Sequence, residues 1–108
     1  MRNLTEFMRL SPLYQKTITE GFREFFAPNA QLFLFGSRAD DTKKGGDIDL
    51  YIIDREHDYK TLRDQEMKFI CKLYDILGEQ RIDVVLNYKD APDKFIFQEA
   101  LRTGIRMV

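Results

Sequence analysis

A chain of 108 residues, of which 44% are hydrophobic, can bury one modest core and leaves no length for a second domain. Its 17 basic and 18 acidic residues give a net charge of -1, which excludes an overall positive field that would draw the chain onto nucleic acid or anionic membranes. Cys71 is the single cysteine and cannot form an internal disulfide, and no apolar run approaches the roughly 20 residues that span a bilayer. The stretch from Met1 to Leu10 also lacks a signal-peptide pattern. We therefore expect one domain over residues 1–108, located in the cytoplasm, without membrane contact or direct binding of nucleic acid.

The first helix and the first strand are marked by residue types that start and stop them. Ser11 suits a helix N-cap and Pro12 its first turn, and apolar residues then recur at helical spacing until Pro28. Residues 31–35 are a short run of large, mostly apolar side chains, which predicts a strand that stops at Gly36. Apolar residues occupy both faces of this strand, so we expect both faces to be covered.

The second strand and the second helix follow a polar stretch. Residues 37–46 suit a turn or one short helix, and the isoleucine-rich residues 48–53 predict the second strand. Asp58 can cap a long helix with an apolar stripe, and Gly78 suits its end. Cys71 lies within this helix beside apolar residues, which predicts a buried or half-buried thiol.

The last elements complete a domain of the α/β (α+β) class. Residues 81–86 predict the third strand, Pro92 opens a last helix, and residues 105–108 suit a short strand. The predicted order is therefore α-β-β-α-β-α, with a strand in the tail. Phe95 and Phe97 stand on opposite sides of the last helix, so we expect one of them at the surface and available to an interface.

Three aspartates stand at matching places on the second and third strands. Side chains alternate faces along a strand, so Asp47 and Asp49 point one way and Ile48 points the other. Asp83 takes the same parity on the third strand and can join the pair if the two strands are neighbours. Like charges this close favour a cation between them, and carboxylate oxygens suit Mg²⁺. The three acids are therefore a candidate site for two metal ions.

The turn after the first strand is a candidate anion site. Gly36 lets the backbone come close to a ligand, Ser37 adds a hydroxyl, and Arg38 adds a cation that can fork onto phosphate oxygens. Anion donors and cation ligands thus lie at the two ends of one β-turn-β unit, as a metal-bound triphosphate requires. Each signal alone is weak, because a Gly-Ser turn is common and a lone DxD is usually a solvated strand edge. The Walker A pattern is excluded because no GK[ST] follows the glycine.

Taken together, these residues resemble a known family. The chain carries Gly36-Ser37, then nine residues, then Asp47-Ile48-Asp49. This pattern resembles the signature of the polymerase-β-like nucleotidyltransferases. The context "LFLFGSRA...GGDIDLYI" is similar to the minimal nucleotidyltransferase (MNT) branch. The likeness runs from Ser11 to the C-terminus and includes "MRLSP", "RIDVVL" and "EALRTGIRM". It implies the polymerase-β-like fold, a small mixed β-sheet packed with helices.

The resemblance also implies an activity and the residues that carry it. Such an enzyme transfers AMP from ATP to a hydroxyl with the help of Mg²⁺. By position, the catalytic and metal-binding residues are Asp47, Asp49 and Asp83. The residues that bind the nucleotide phosphates are, by the same reasoning, Gly36, Ser37 and Arg38.

One stretch departs from the family pattern. The family often reads GSRARG, whereas this chain places "ADD" after Arg38 and so introduces Asp40 and Asp41. Added negative charge beside a triphosphate should weaken nucleotide binding unless Lys43 or Lys44 offsets it.

The MNT resemblance implies a protein partner as well. Proteins of this branch act as antitoxins of HEPN-domain ribonuclease toxins, by transferring AMP to a toxin tyrosine or by direct binding. A homo- or hetero-oligomer is compatible with this role. The alternatives are a non-catalytic antitoxin, a nucleotidyltransferase for small molecules such as antibiotics, which usually has an additional helical domain, and, as a weaker alternative, a DxD glycosyltransferase.

Two other residues have simpler interpretations. His57, the single histidine, lies among charged neighbours and is expected to be a solvated loop residue. Tyr51 shares a face with Asp49 and could touch a base or ribose, but core packing is the favoured role.

Overall fold

The computed structural model describes residues 10–39 and 46–108. It contains α1 (Pro12–Phe25), β1 (Gln31–Phe35), a 3₁₀ helix (Gly36–Ala39), β2 (Ile48–Asp54), α2 (Tyr59–Leu77), β3 (Ile82–Tyr88), α3 (Phe95–Thr103) and β4 (Ile105–Arg106). The α+β class, the order of helices and strands and the short tail strand are thereby confirmed.

The four strands of the described residues form one mixed sheet in the order β3-β2-β1-β4. β1 runs antiparallel to both β2 and β4, whereas β2 and β3 are parallel. A parallel pair needs a crossover connection, and α2 provides it between these two strands. The second and third strands are therefore neighbours, which is the arrangement that the third aspartate requires.

The larger core lies between one face of the sheet and helices α1 and α2. Ile48, Leu50 and Ile52 are all fully buried on this face, as the alternation along β2 predicted. Phe69 of α2 packs edge-on against Phe26, with ring centroids 5.7 Å apart. Burial of these side chains is the main source of stability for a chain of this size.

The other face of the sheet is covered by α3. Tyr51 of β2 is only 2% exposed and lies between Phe33 and Phe97, with ring centroids 6.0 Å and 5.6 Å away. The hydroxyl of Tyr51 accepts a hydrogen bond from Asn87 Nδ2 at 2.9 Å. The prediction of core packing for Phe33 and Tyr51 is confirmed. Phe95 is 76% exposed, which confirms that one of the two α3 phenylalanines is at the surface.

Helix boundaries agree with the capping residues at three of the predicted ends. Ser11 Oγ accepts a hydrogen bond from the Tyr14 amide, Asp58 Oδ1 accepts one from the Thr61 amide, and α2 stops at Gly78, whose φ is 84°. The last helix begins at Phe95 and not at Pro92. None of the helices in the described ranges is long and apolar enough to cross a membrane.

The prediction for Cys71 was wrong, and that for His57 was incomplete. Cys71 is exposed, because it lies two positions from Phe69 and two from Leu73, about 200° around the helix from each of these buried residues. His57 lies in a loop with its side chain 38% exposed, as expected, but its Nδ1 also lies 2.8 Å from Asp54 Oδ2. The Asp54 side chain is 1% exposed, and a buried carboxylate requires such a partner.

Candidate active site

The β2–β3 pairing brings the predicted carboxylates together. In the parallel register Asp49 lies directly opposite Asp83, with Ile48 opposite Ile82 on the other face. Asp47 immediately precedes β2 and has the parity of Asp49. All three acids therefore lie near the N-terminal ends of two neighbouring strands. The side chains of Asp47 and Asp83 are each 50% exposed, so this end of the sheet is open to a ligand.

Asp49 is partly buried, and its environment disfavours the charged form. Burial raises the pKa of Asp49 above its ordinary value, the negative charges of Asp83 and then Asp47 raise it further, and Arg81 acts in the opposite direction. Each of the other two acids thus contributes to the electrostatic field at Asp49. An additional cation at this position would be favoured by all three carboxylates.

The glycine turn lies against the same carboxylate. Gly36 has a φ of 72°, and a Cβ placed on it would overlap Asp49 Oδ2. The neighbouring residue Phe35 is the Cα partner of Asp49 in the β1–β2 ladder, which sets this close approach. Only glycine meets both requirements, because it tolerates positive φ and has no side chain. The candidate anion turn and the acidic pair therefore form one continuous surface.

Arg38 connects the turn to the start of β2. Its Nη2 donates a hydrogen bond to the carbonyl oxygen of Gly46 at 3.0 Å, one residue before Asp47. Arg38 lies in the short 3₁₀ helix Gly36–Ala39, which agrees with the expectation of a turn or one short helix in this stretch. The arginine thus lies at the side of the acidic cluster.

Several predicted site residues fall outside the described part of the chain. The side chain of Ser37 is not described, and neither are residues 40–45. The contributions of Asp40, Asp41, Lys43 and Lys44 therefore stay predictions.

Arg81 is a site residue that the sequence analysis missed. Its Nε lies 3.5 Å from Asp47 Oδ2 and 3.3 Å from Asp83 Oδ2, so one guanidinium is paired with carboxylates from two strands. The signal was present in the sequence, because Arg81 precedes Asp83 by two residues and shares its parity. It became visible only once β2 and β3 were known to be adjacent.

Comparison with known proteins identifies the kind of domain in which these residues lie. The family model "Polymerase beta, Nucleotidyltransferase" matches residues 16–108. The chain belongs to this nucleotidyltransferase family. No match was found among curated proteins. The match includes the glycine turn and all three aspartates, so the site described above lies within the nucleotidyltransferase domain.

Mg²⁺ is expected from the sequence at the three aspartates, and the donor groups of the site bear on that expectation. Among the residues that the structure describes, no group of three or more His, Cys, Asp or Glu side chains is gathered closely enough to hold a metal ion. The donors are nevertheless of the right type, because the site offers carboxylate oxygens that repel one another and are partly open to solvent. The acids therefore match Mg²⁺ in donor chemistry, although their described side chains are not gathered into a metal site.

Proposed function

We propose that this nucleotidyltransferase transfers AMP from ATP to a hydroxyl group of a partner protein. The observation that carries the proposal is the contact between two halves of the site. Gly36, at the candidate phosphate turn, packs against Asp49, which in turn faces Asp83 across the sheet. The turn that we propose to bind phosphate therefore lies against the acids that we propose to bind metal, an arrangement that suits a metal-bound triphosphate.

Asp47, Asp49 and Asp83 would hold Mg²⁺, which when bound neutralises the phosphate oxygens and stabilises the entering and leaving oxygens of an in-line displacement. Gly36 and its neighbours would orient the β- and γ-phosphates through backbone N–H groups. The acceptor oxygen forms a bond to the α-phosphorus, the bond from that phosphorus to the β-phosphate oxygen breaks, and pyrophosphate leaves. Asp83, half exposed on the edge strand, can accept the proton of the acceptor hydroxyl.

The openness of the site supports a macromolecular acceptor. Asp47 and Asp83 are half exposed, so no side chain of the described residues encloses a small acceptor there. A partner protein that carries the acceptor hydroxyl would itself cover this open side of the site. A tyrosine of a HEPN ribonuclease toxin is the acceptor that we propose, with the present chain acting as the antitoxin. Transfer to an antibiotic would need an enclosed acceptor pocket and is less well supported.

One observation favours a second candidate function, that of a non-catalytic antitoxin. Arg81 pairs with both Asp47 and Asp83 and offsets part of their charge, as would be expected if the acids only maintained the local structure. Such a protein would neutralise its toxin by direct complex formation.

The two functions are separated by labelling of the partner. The chain and the protein encoded next to it are incubated with α-labelled ATP and Mg²⁺, and label on the partner is measured together with its ribonuclease activity. Asp49→Asn should abolish the label, whereas the matched control Asp93→Asn, at an exposed position before α3, should retain it. Absence of label together with full neutralisation would contradict transfer and support the binding module.

A further inference from the structure

Arg81 is held at the acidic cluster by its backbone as well as by its side chain. Its carbonyl oxygen accepts a hydrogen bond from the amide of Ile48 at 3.1 Å, and Ile48 stands between Asp47 and Asp49. Ile48 pairs with Ile82 at the start of the two strands, and Asp47 and Arg81 are the residues that immediately precede this pair. The position of the arginine is therefore a consequence of the strand pairing and not of a flexible loop.

The guanidinium lies where a cation shared by two strands would lie. Nε is 3.5 Å from an oxygen of Asp47 and 3.3 Å from an oxygen of Asp83, and Arg81 also lowers the cost of charge on Asp49. One guanidinium thus offsets part of the negative charge of the three carboxylates that we propose as metal ligands. Mg²⁺ carries twice this charge and binds carboxylates directly.

The ion pairs of Arg81 with Asp47 and Asp83 are also weak enough for another cation to displace the guanidinium. The Arg81 side chain is 73% exposed and both aspartates are half exposed, so the ion pairs are screened by water and salt. An arginine at such a site has a long stem and can move into solvent at little cost in packing.

We propose that Arg81 is a counter-ion built into the metal-free site and that its guanidinium leaves the space between Asp47 and Asp83 when a divalent cation binds. This inference rests on the proposed function, since it assumes that these acids are metal ligands. Arg81 stabilises the empty site by offsetting carboxylate repulsion. For the same reason it lowers the affinity of the three acids for a divalent cation.

The test is a Mn²⁺ titration without nucleotide, in which free Mn²⁺ is measured by electron paramagnetic resonance. Arg81→Gln removes the charge while leaving the backbone bond to Ile48 intact, and it should bind Mn²⁺ about three- to tenfold more tightly than the unmodified chain. Arg81→Lys keeps the charge and should remain close to the unmodified chain. Arg23→Gln, an exposed change in α1, controls for net charge and should also leave the Mn²⁺ affinity unchanged.

Thermal unfolding of the same variants provides a second readout. Without metal, Arg81→Gln should unfold at a lower temperature than the unmodified chain, and saturating Mn²⁺ should remove or reverse this difference. Equal Mn²⁺ affinities for Arg81→Gln and the unmodified chain would overturn the inference alone, provided that Asp49→Asn still weakens binding. If Mn²⁺ binds neither form, or if Asp49→Asn leaves its binding unchanged, both the inference and the proposed function are contradicted.

Discussion

Asp49 and Asp83 are direct partners across the parallel β2–β3 pair, one residue into each strand. Two carboxylates rarely face one another in this way without a cation, because each raises the free energy of charging the other. Gly36 also lies so close to Asp49 that a Cβ at this position would overlap the carboxylate. The arrangement sacrifices some stability to hold negative charge at one point of the sheet, as a metal site requires.

The substitution Asp49→Asn should stabilise the metal-free protein at neutral pH while abolishing transfer. The pKa of Asp49 is raised above its ordinary value of 3.8, so its carboxyl group favours folding most when it is protonated. That favourable contribution is fully present below pH 3.8 and is lost as pH rises through the folded-state pKa. Urea unfolding of both proteins as a function of pH measures the effect.

The advantage of Asp49→Asn in free energy of unfolding should therefore grow as pH rises from acid towards neutral, and it should shrink when Mn²⁺ is added. An asparagine variant that is less stable than the unmodified chain at pH 7 without metal would contradict the unfavourable burial and charge repulsion that we assign to Asp49.

Gly36→Ala should damage both stability and activity. The new Cβ would overlap Asp49 Oδ2, and alanine is strained at a φ of 72°. We expect a loss of about 1–3 kcal/mol in the free energy of unfolding from the backbone strain. Displacement of the carboxylate should also lower the rate of transfer by about 10²-fold.

Two other glycines separate these effects. Gly78→Ala carries the same kind of strain, at a φ of 84°, but a Cβ there meets no atom within 4 Å. It should destabilise the chain and leave activity intact. Gly46→Ala has open space around its Cβ and no positive φ, and it should change neither property. Equal activity of Gly36→Ala and Gly78→Ala would contradict the role of the Gly36–Asp49 contact.

Tyr51→Phe tests whether this tyrosine is a core residue or a nucleotide contact. Its hydroxyl accepts a bond from Asn87, whose Oδ1 in turn accepts a bond from Arg55 at 2.7 Å. Removing the hydroxyl should cost about 0.5–1.5 kcal/mol in the free energy of unfolding, and the Michaelis constant for ATP should not change. A rise in that constant without loss of stability would place Tyr51 at the nucleotide.

The two phenylalanines of α3 should differ sharply in their contribution to stability. Phe97 is 7% exposed and stacks on Tyr51, so Phe97→Ala should lower the free energy of unfolding by about 3–5 kcal/mol. Phe95 is 76% exposed, and Phe95→Ala should change the free energy of unfolding by less than about 0.5 kcal/mol. Similar losses for both variants would show that α3 packs differently on the sheet.

Much of the site followed from local rules of the chain. Alternation along strands predicts that Asp47 and Asp49 share a face, and the stop at Gly36 predicts a turn. Helix caps at Ser11 and Asp58 set where two helices begin. These features depend on a few neighbouring residues, so a single sequence contains them.

Other features depend on contacts between distant segments. Whether β2 and β3 are adjacent depends on how α2 packs over the sheet. The sequence alone therefore included Asp83 in the site only on the condition that the two strands are neighbours. The contact of Arg81 with Asp47 depends on that same pairing. The pairing of His57 with the buried Asp54 likewise arises from tertiary burial, which residue types near the histidine do not reveal.

The central claim is that the glycine turn and the three aspartates form one site for transfer of AMP. The most direct measurement is a paired reaction of the chain and its partner with ATP labelled either at the α- or at the γ-phosphate. Our account predicts that the partner becomes labelled from α-labelled ATP and not from γ-labelled ATP, that the reaction requires Mg²⁺, and that Asp49→Asn removes the label. Label transferred from the γ-phosphate, or α-label that persists in Asp49→Asn, would contradict it.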